Sequence, residues 1–137
     1  MTTTIREELA VPGLPAPLSH YTDAVRFGDL LFVSGCVALD ADGAIVGCGD
    51  VTAQARKVHE LLGAVLQHAG ASFADVLKVT VFLLDVADRH AVNEVRIEFF
   101  GATRPASTLV QVAALAMPGL LVEVEAVAGI PRRQTER

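Results

Sequence analysis

The sequence predicts an α+β domain in which two helices pack on one face of a single mixed β-sheet. Two observations predict this class: short β-prone runs alternate with two stretches of helical period, and the last strand is apolar on both sides. The expected order of elements is β-β-β-α-β-α-β-β. The 137 residues fit one domain over 1–137, with a lead-in over 1–17 and a C-terminal tail over 130–137. Because the last strand has two apolar sides, we expect neighbouring subunits to cover the face that the helices leave open.

The first strands are predicted as two hairpins that follow an extended or looping lead-in rich in Pro and Gly. The runs AVRFG and LLFVSG flank a tight turn at Gly28 and Asp29. The stretch VALDADGAIVG repeats this pattern around Asp42 and Gly43. The sequence therefore predicts three strands before the first helix.

Two helices are indicated by apolar residues at helical spacing. Asp50 is the expected N-cap of the first helix and Gly70 its C-terminal stop. The apolar stripe of this helix comprises Val51, Ala55, Val58, Leu62, Val65 and Ala69. His59 falls outside the stripe and is expected at the surface or its boundary. Asp88 is the expected N-cap of the second helix, whose apolar face comprises Val92, Val95 and Phe99.

Three more strands are predicted around the second helix. Residues 75–86 form a continuous apolar, β-branched run, which is typical of a strand covered on both faces. A loop at 101–105 leads to strands over 107–112 and 120–128, joined through MPG.

Composition and charge argue against several classes of function. The net charge is −5, and the chain has no cluster of basic residues beyond Arg132 and Arg133, so nucleic-acid binding is not expected. No signal peptide pattern and no run of about 18 apolar residues occurs, so no membrane segment is expected. Cys36 and Cys48 are expected as free thiols of a cytoplasmic protein.

Motifs that hold phosphates or metals do not occur, so the sequence predicts neither a cofactor nor a metal. The candidate for chemistry is VEVEA, in which Glu123 and Glu125 share one strand face. A carboxylate in an apolar strand is costly to bury unless it is paired or functional. Two interpretations stay open: both glutamates face solvent or pair with a cation, or one is a general acid/base or water-orienting group in a cleft.

Five stretches carry a resemblance to a known family, in the family's order, over roughly residues 12–129: YTDAVRFGDLLFVSG, AGASFADVLKVTVFLLDVADRHAVNEV, EFF, RPAS and GLLVEVEAVA. In these the chain resembles the YjgF/RidA family of reactive-intermediate (enamine/imine) deaminases. The resemblance implies a chorismate-mutase-like fold, a homotrimeric barrel built from three sheets, and three clefts between subunits that take a small-molecule substrate.

The resemblance also implies roles for single residues. In active members an enamine such as 2-aminoacrylate tautomerises to an imine, water adds to the C=N carbon, and ammonia leaves. The first glutamate of the V-E-x-E motif, Glu123 here, is expected near the attacking water. Tyr21 is expected to line the cleft, and Asn93 to hold local structure.

This chain departs from the family pattern at the substrate end of the cleft. The family motif reads P-A-R where the sequence reads Pro105, Ala106, Ser107, so the arginine that would grip a substrate carboxylate is replaced by Ser107. Cys36 stands for the usual glutamine and Leu109 for a Cys or small polar residue, and the loop before Pro105 is shorter. Removing one partner of a buried charge pair costs about 2–5 kcal/mol, so we expect weak or no activity on 2-aminoacrylate-type substrates.

Three accounts of the replaced arginine stay open. The substrate lacks a carboxylate there and is more apolar, or Arg96 or Arg104 takes over, or the chain binds a metabolite without catalysis. The expected function is a homotrimeric hydrolase that releases ammonia from an enamine or imine, with substrate-binding candidates Ser107, Tyr21, Cys36, Leu109, Arg104 and Arg96. The alternatives are a non-catalytic metabolite-binding or regulatory protein and, against the acidic net charge, an endoribonuclease or translation inhibitor.

Overall fold

The computed structural model describes residues 5–132, in which two helices pack on one face of a six-stranded mixed sheet. The helices are α1 (Val51–His68) and α2 (Arg89–Phe100), and short 3-10 turns precede β4 and α2. The strands are β1 (Arg6–Leu9), β2 (Ala24–Phe27), β3 (Leu30–Val37), β4 (Val76–Leu83), β5 (Ala106–Gln111) and β6 (Val122–Gly129). The predicted α+β class is confirmed. Residues 1–4 of the lead-in and 133–137 of the tail, with Arg133, lie outside the described residues.

The sheet has the order β1-β2-β3-β6-β4-β5. Its neighbours are antiparallel except β4 and β5, which are parallel because α2 crosses over between them. The last strand in the chain, β6, therefore lies in the middle of the sheet between β3 and β4. Its glutamates are held by strands on both sides.

Alternation along the strands gives the sheet two different faces. Val79, Val81 and Val124 point toward the helices and are fully buried. The other face, called the open face below, carries Glu123, Glu125 and the exposed side chains of Phe27, Leu30 and Phe32. These three apolar residues are 53%, 42% and 48% exposed. One chain thus leaves an apolar, partly aromatic surface uncovered.

Both ends of α1 are formed as the sequence predicts. The Asp50 side chain accepts a hydrogen bond from the backbone N–H of Ala53 at 3.1 Å, which satisfies a donor of the first turn. After the helix, Gly70 adopts φ 82°. The N–H groups of Gly70 and Ala71 then donate to carbonyls of the last turn, as in a Schellman motif.

The lead-in contains a strand that the sequence does not predict. Arg6–Leu9 forms β1 and pairs antiparallel with β2 at the edge of the sheet. Its sequence, REEL, offers three charged residues and no alternation of apolar side chains. Backbone pairing holds this edge strand, so side-chain periodicity could not reveal it.

The predicted second hairpin forms a turn but no ladder. Gly43 adopts φ 85° at the turn, as expected, yet the flanking residues share a single bridge between Leu39 and Ile45. The Asp40 side chain accepts from the backbone N–H groups of Asp42 and Ala44, so it organises a loop in place of two strands.

The surface or boundary position predicted for His59 is wrong, since the side chain is 1% exposed. Its Nδ1 lies 2.8 Å from the Ala55 carbonyl oxygen, and its ring stacks on Phe99 with centroids 5.3 Å apart. The buried stripe of α1 is wider than predicted because α2 packs over this side. Burial lowers the pKa of His59, which favours the neutral ring.

The remaining elements differ from prediction in detail. β4 is shorter than the predicted 75–86, and only its helix-facing side is fully buried in one chain. Asp88 occupies the N-cap position of α2, but its side chain makes no capping hydrogen bond. Neither helix combines the length and the apolar composition needed to cross a bilayer within residues 5–132.

Candidate functional site

Glu123 lies in β6 on the open face, half-buried between Val37 of β3 and Phe82 of β4. Beside it the register of β3 shifts between Val33 and Cys36, and Gly35 occupies this irregular stretch. A β-carbon at Gly35 would overlap Oε2 of Glu123 and come 2.8 Å from its Cδ. The carboxylate therefore rests directly on the strand backbone, which is possible only above a glycine.

Sequence reasoning missed Gly35 as a site residue. The available signal was a glycine inside the strand run LLFVSG, since such glycines often mark a bulge or a close approach. That signal does not tell which group approaches, because the approaching group is on a strand about 90 residues later in the chain.

A cleft of about 410 Å³, the Glu123 cleft, opens above this carboxylate. Tyr21 lies at its edge, and its hydroxyl oxygen accepts a hydrogen bond from the backbone N–H of Leu18 at 3.0 Å. The phenolic hydrogen is thus free to donate into the cleft. The lining residues are Leu18, Ser19, Tyr21, Ser34, Gly35, Val37, Ala116, Glu123 and Glu125.

The surroundings of Glu123 in this cleft raise the pKa of its carboxyl group. Burial raises the pKa of Glu123, and the nearby charge of Glu125 raises it further. Of the ion pairs formed within residues 5–132, none involves either glutamate. A carboxyl group with a raised pKa, in a cleft and without a cationic partner, is suited to general acid/base chemistry.

Cys36 is held apart from the Glu123 cleft. It pairs with Val124 on the helix-facing side and is buried. There it lines a small cavity of about 40 Å³ together with Leu61 and Val65 of α1. Burial raises the pKa of the thiol to about 12, so it stays protonated at neutral pH.

A second cleft of about 220 Å³, the α2 cleft, lies between α2 and β5. Ser107 and Leu109 reach it because they stand opposite Val79 and Val81, on the helix-facing side. The cleft joins four residues that the sequence singles out, Asn93, Arg96, Ser107 and Leu109, with Arg89, His90 and Val92. Arg89 was missed, although its spacing from Asn93 and Arg96 places all three on one helix face.

The two candidate arginines differ in position. Arg96 is half-buried and lines the α2 cleft. Arg104 is exposed in the loop before β5 and lines neither the Glu123 cleft nor the α2 cleft.

Five of the predicted site residues fall into two groups on opposite faces of the sheet, while Cys36 and Arg104 line neither cleft. Glu123 and Tyr21 belong to the open face, whereas Ser107, Leu109 and Arg96 belong to the helix side. β4 lies between β5 and β6, so the chain does not bring Ser107 and Glu123 into one cleft. Within residues 5–132, no group of three His, Cys, Asp or Glu side chains is arranged as metal ligands would be.

Comparisons with known proteins agree with this architecture. The family model described as Endoribonuclease L-PSP matches residues 13–130. The 3-aminoacrylate deaminase RutC of Acinetobacter baylyi is 39% identical over 125 residues, which cover 90% of this chain and 98% of the relative. The 2-iminobutanoate/2-iminopropanoate deaminase of Mus musculus is 36% identical over 128 residues, covering 93% and 94% of the two chains.

Among solved structures, RidA from an Antarctic Psychrobacter species superposes with a TM-score of 0.82 at 32% identity, covering 90% of this chain and 100% of that one. The family model spans most of the chain, and the alignments with both relatives cover nearly the whole length of each relative. The chain belongs to the YjgF/RidA family, whose model carries the description Endoribonuclease L-PSP.

Proposed function

We propose that the chain is an imine deaminase whose active site forms where the Glu123 cleft of one copy meets the α2 cleft of another. The observation that carries this proposal is the half-buried Glu123 carboxylate, held over Gly35 at the base of a roomy cleft. The relatives named as 2-iminobutanoate/2-iminopropanoate and 3-aminoacrylate deaminases support the reaction class.

Glu123 moves protons in the proposed reaction. Its carboxylate accepts a proton from water as the water oxygen bonds to the C=N carbon, and it passes this proton to the imine nitrogen to give a carbinolamine. The carboxylate then accepts the proton of the carbinolamine hydroxyl and passes it to the amino nitrogen as the C–N bond breaks. The nitrogen leaves as ammonia and the carbon becomes a ketone, so one imine and one water yield one ketone and one ammonia.

Tyr21 assists from the edge of the cleft in this proposal. Its oxygen is held by the backbone N–H of Leu18, so its O–H points away from that contact. It donates a hydrogen bond to the substrate. A role in placing the substrate predicts a larger effect of Tyr21→Phe on KM than on kcat.

The open face supports a site made by more than one copy. Phe27, Leu30 and Phe32 expose a contiguous apolar area in one chain, and such areas mark contact surfaces. The edge strand β5 carries Ser107 and Leu109, so another copy can approach this side. We propose the homotrimer that the family resemblance implies, with one cleft at each junction.

The experiment is ammonia release from freshly generated 2-iminobutanoate and from bulkier imines. Glu123→Gln, which keeps the shape and removes the base, is expected to lower kcat by about 10²–10⁴-fold. Glu125→Gln is the matched control on the same strand face and, at a pH above the acidic limb of the profile, is expected to stay within a few-fold of wild type. Equal activity of Glu123→Gln and wild type would contradict the proposal.

Two alternatives predict no ammonia release and are recognised by other measurements. A binding protein would be thermally stabilised by keto acids without releasing ammonia from any imine. An endoribonuclease, the activity in the family model's description, would degrade RNA with steep salt dependence. The net charge of −5 speaks against a large contact with phosphates.

A further inference from the structure

The α2 cleft has a charge opposite to that of the protein as a whole. Two arginines and a histidine line it, Arg89, His90 and Arg96, and no carboxylate is among its lining residues. The whole chain carries a net charge of −5. A cationic recess on an acidic protein favours an anionic ligand at this place.

Arg96 is the more confined of the two arginines. It is half-buried, and burial lowers its pKa, yet a guanidinium remains charged at any ordinary pH. The three ion pairs within residues 5–132 join Arg6 to Glu8, Arg56 to Glu98 and Arg132 to Asp29, so Arg96 takes part in none of them. A half-buried guanidinium without a protein counter-ion is available to pair with an anionic ligand, and partial burial strengthens that pairing relative to one in bulk water.

The other lining residues of the α2 cleft indicate which further groups an anionic ligand would carry. Ser107 faces the cleft from β5, and Asn93 faces it from α2, one turn before Arg96; both can donate hydrogen bonds. Val92 and Leu109 supply apolar surface in the same cleft. The recess therefore suits a ligand with an anionic head and an apolar part.

We propose that Arg96, with Ser107 as a second donor, binds the carboxylate of an imine substrate whose apolar part contacts Val92 and Leu109. This inference rests on the proposed deaminase function and names the substrate class for the same site. The positive charge that binds the carboxylate then comes from α2 in the helix layer, whereas Ser107 lies on β5 in the sheet. Arg104 has no part in it because it is exposed and outside the cleft.

The test is calorimetric titration with two probes. One is 4-methyl-2-oxopentanoate, a stable keto acid with an apolar branch, and the other is 4-methyl-2-pentanone, which lacks the carboxylate. The proteins are wild type, Arg96→Gln, Arg96→Lys and, as a matched control, Arg104→Gln. Arg96→Gln is expected to weaken binding of the keto acid by on the order of 10²-fold and to leave the ketone unaffected.

The other two variants test whether the loss of affinity is specific to the positive charge of Arg96. Arg96→Lys keeps the charge and is expected to retain part of the affinity for the keto acid, while Arg104→Gln binds like wild type. The inference is overturned if Arg96→Gln binds the keto acid as wild type does, if it loses both probes equally, or if wild type does not prefer the keto acid over the ketone.

Parallel turnover measurements separate this inference from the proposed reaction. If no imine yields ammonia but Arg96→Gln still loses the keto acid selectively, the anion site stands and the reaction fails. If wild type releases ammonia and Arg96→Gln raises neither KM nor the dissociation constant of the keto acid, the reaction stands and the anchor fails.

Discussion

The position of Glu123 depends on a residue far from it in sequence. Gly35 leaves the space in which the carboxylate lies, and the irregular register of β3 brings that space next to β6. The sequence singles out Glu123 as a candidate, because two carboxylates alternate with valines in a strand. It did not reveal Gly35, because close approach between strands is a property of their pairing.

Gly35→Ala is predicted to lower turnover as much as Glu123→Gln does while the fold persists. The added methyl group would overlap the end of a flexible side chain, so Glu123 moves and the backbone stays. Imine turnover and thermal unfolding should be measured together. Gly129→Ala is the control, since a β-carbon there meets only Leu77 Cδ1, at 3.9 Å. Full activity of Gly35→Ala would show that the carboxylate position is not critical.

The pH dependence of turnover is predicted from the raised pKa of Glu123. As a base, the ionised carboxylate is the active form, so kcat/KM falls as pH decreases through that pKa. Glu125 contributes to the raised pKa, so Glu125→Gln should move the acidic limb to lower pH. Comparing the two proteins on one substrate cancels the titration of the imine. A limb that moves to higher pH would contradict the assignment.

At the scale of elements, α1 is tied to the sheet by one buried amide. Gln54 Nε2 donates to the carbonyls of Gly47 and Gly119 at 3.1 and 2.9 Å, and the N–H of Leu121 donates to its Oε1 at 2.8 Å. The side chain is completely buried. It thus fixes the loop before α1 and the segment leading into β6, the strand that carries Glu123.

Gln54→Leu is predicted to lower the free energy of unfolding by about 2–4 kcal/mol, because three backbone groups lose their partner together. The measurement is chemical denaturation monitored by circular dichroism. Gln67→Leu, an exposed position on the same helix, should change stability by less than about 0.5 kcal/mol. Similar losses for the two variants would mean that the amide contacts contribute little.

Prediction from sequence succeeded where an element carries its own signals. The α1 boundaries follow from Asp50 and Gly70, and the buried sides of β4 and β6 follow from their β-branched residues. It failed for β1, whose pairing is through the backbone at a sheet edge. His59 was misplaced because its burial depends on α2, which packs against α1 only in the folded chain.

At the scale of the whole molecule, the open face predicts self-association. Phe32→Glu is expected to reduce the mass measured by light scattering from three chains toward one, since it buries a charge in the proposed contact. Gln67→Glu adds the same charge on the exposed side of α1 and should leave the mass unchanged. A wild-type protein with the mass of one chain would refute the proposed assembly.

The candidate site could be predicted only in part, because the face of the sheet on which each residue lies depends on strand register. Glu123 and Ser107 were both singled out from the sequence, but nothing in it shows that they face opposite sides of the sheet. That separation follows from register, which places Ser107 opposite Val79 and Glu123 opposite Phe82. Their cooperation in one site is therefore a proposal about two copies.

Subunit complementation tests this central claim most directly. Glu123→Gln removes the proposed base from one half-site, and Ser107→Trp fills the α2 cleft that forms the other. Each variant alone should release ammonia at least about 10²-fold more slowly than wild type from an imine that wild type hydrolyses. Co-expressed and purified as mixed assemblies through two different tags, they should regain activity, because one junction then combines two unaltered halves. Mixed assemblies that remain as inactive as the single variants would contradict a site shared between copies.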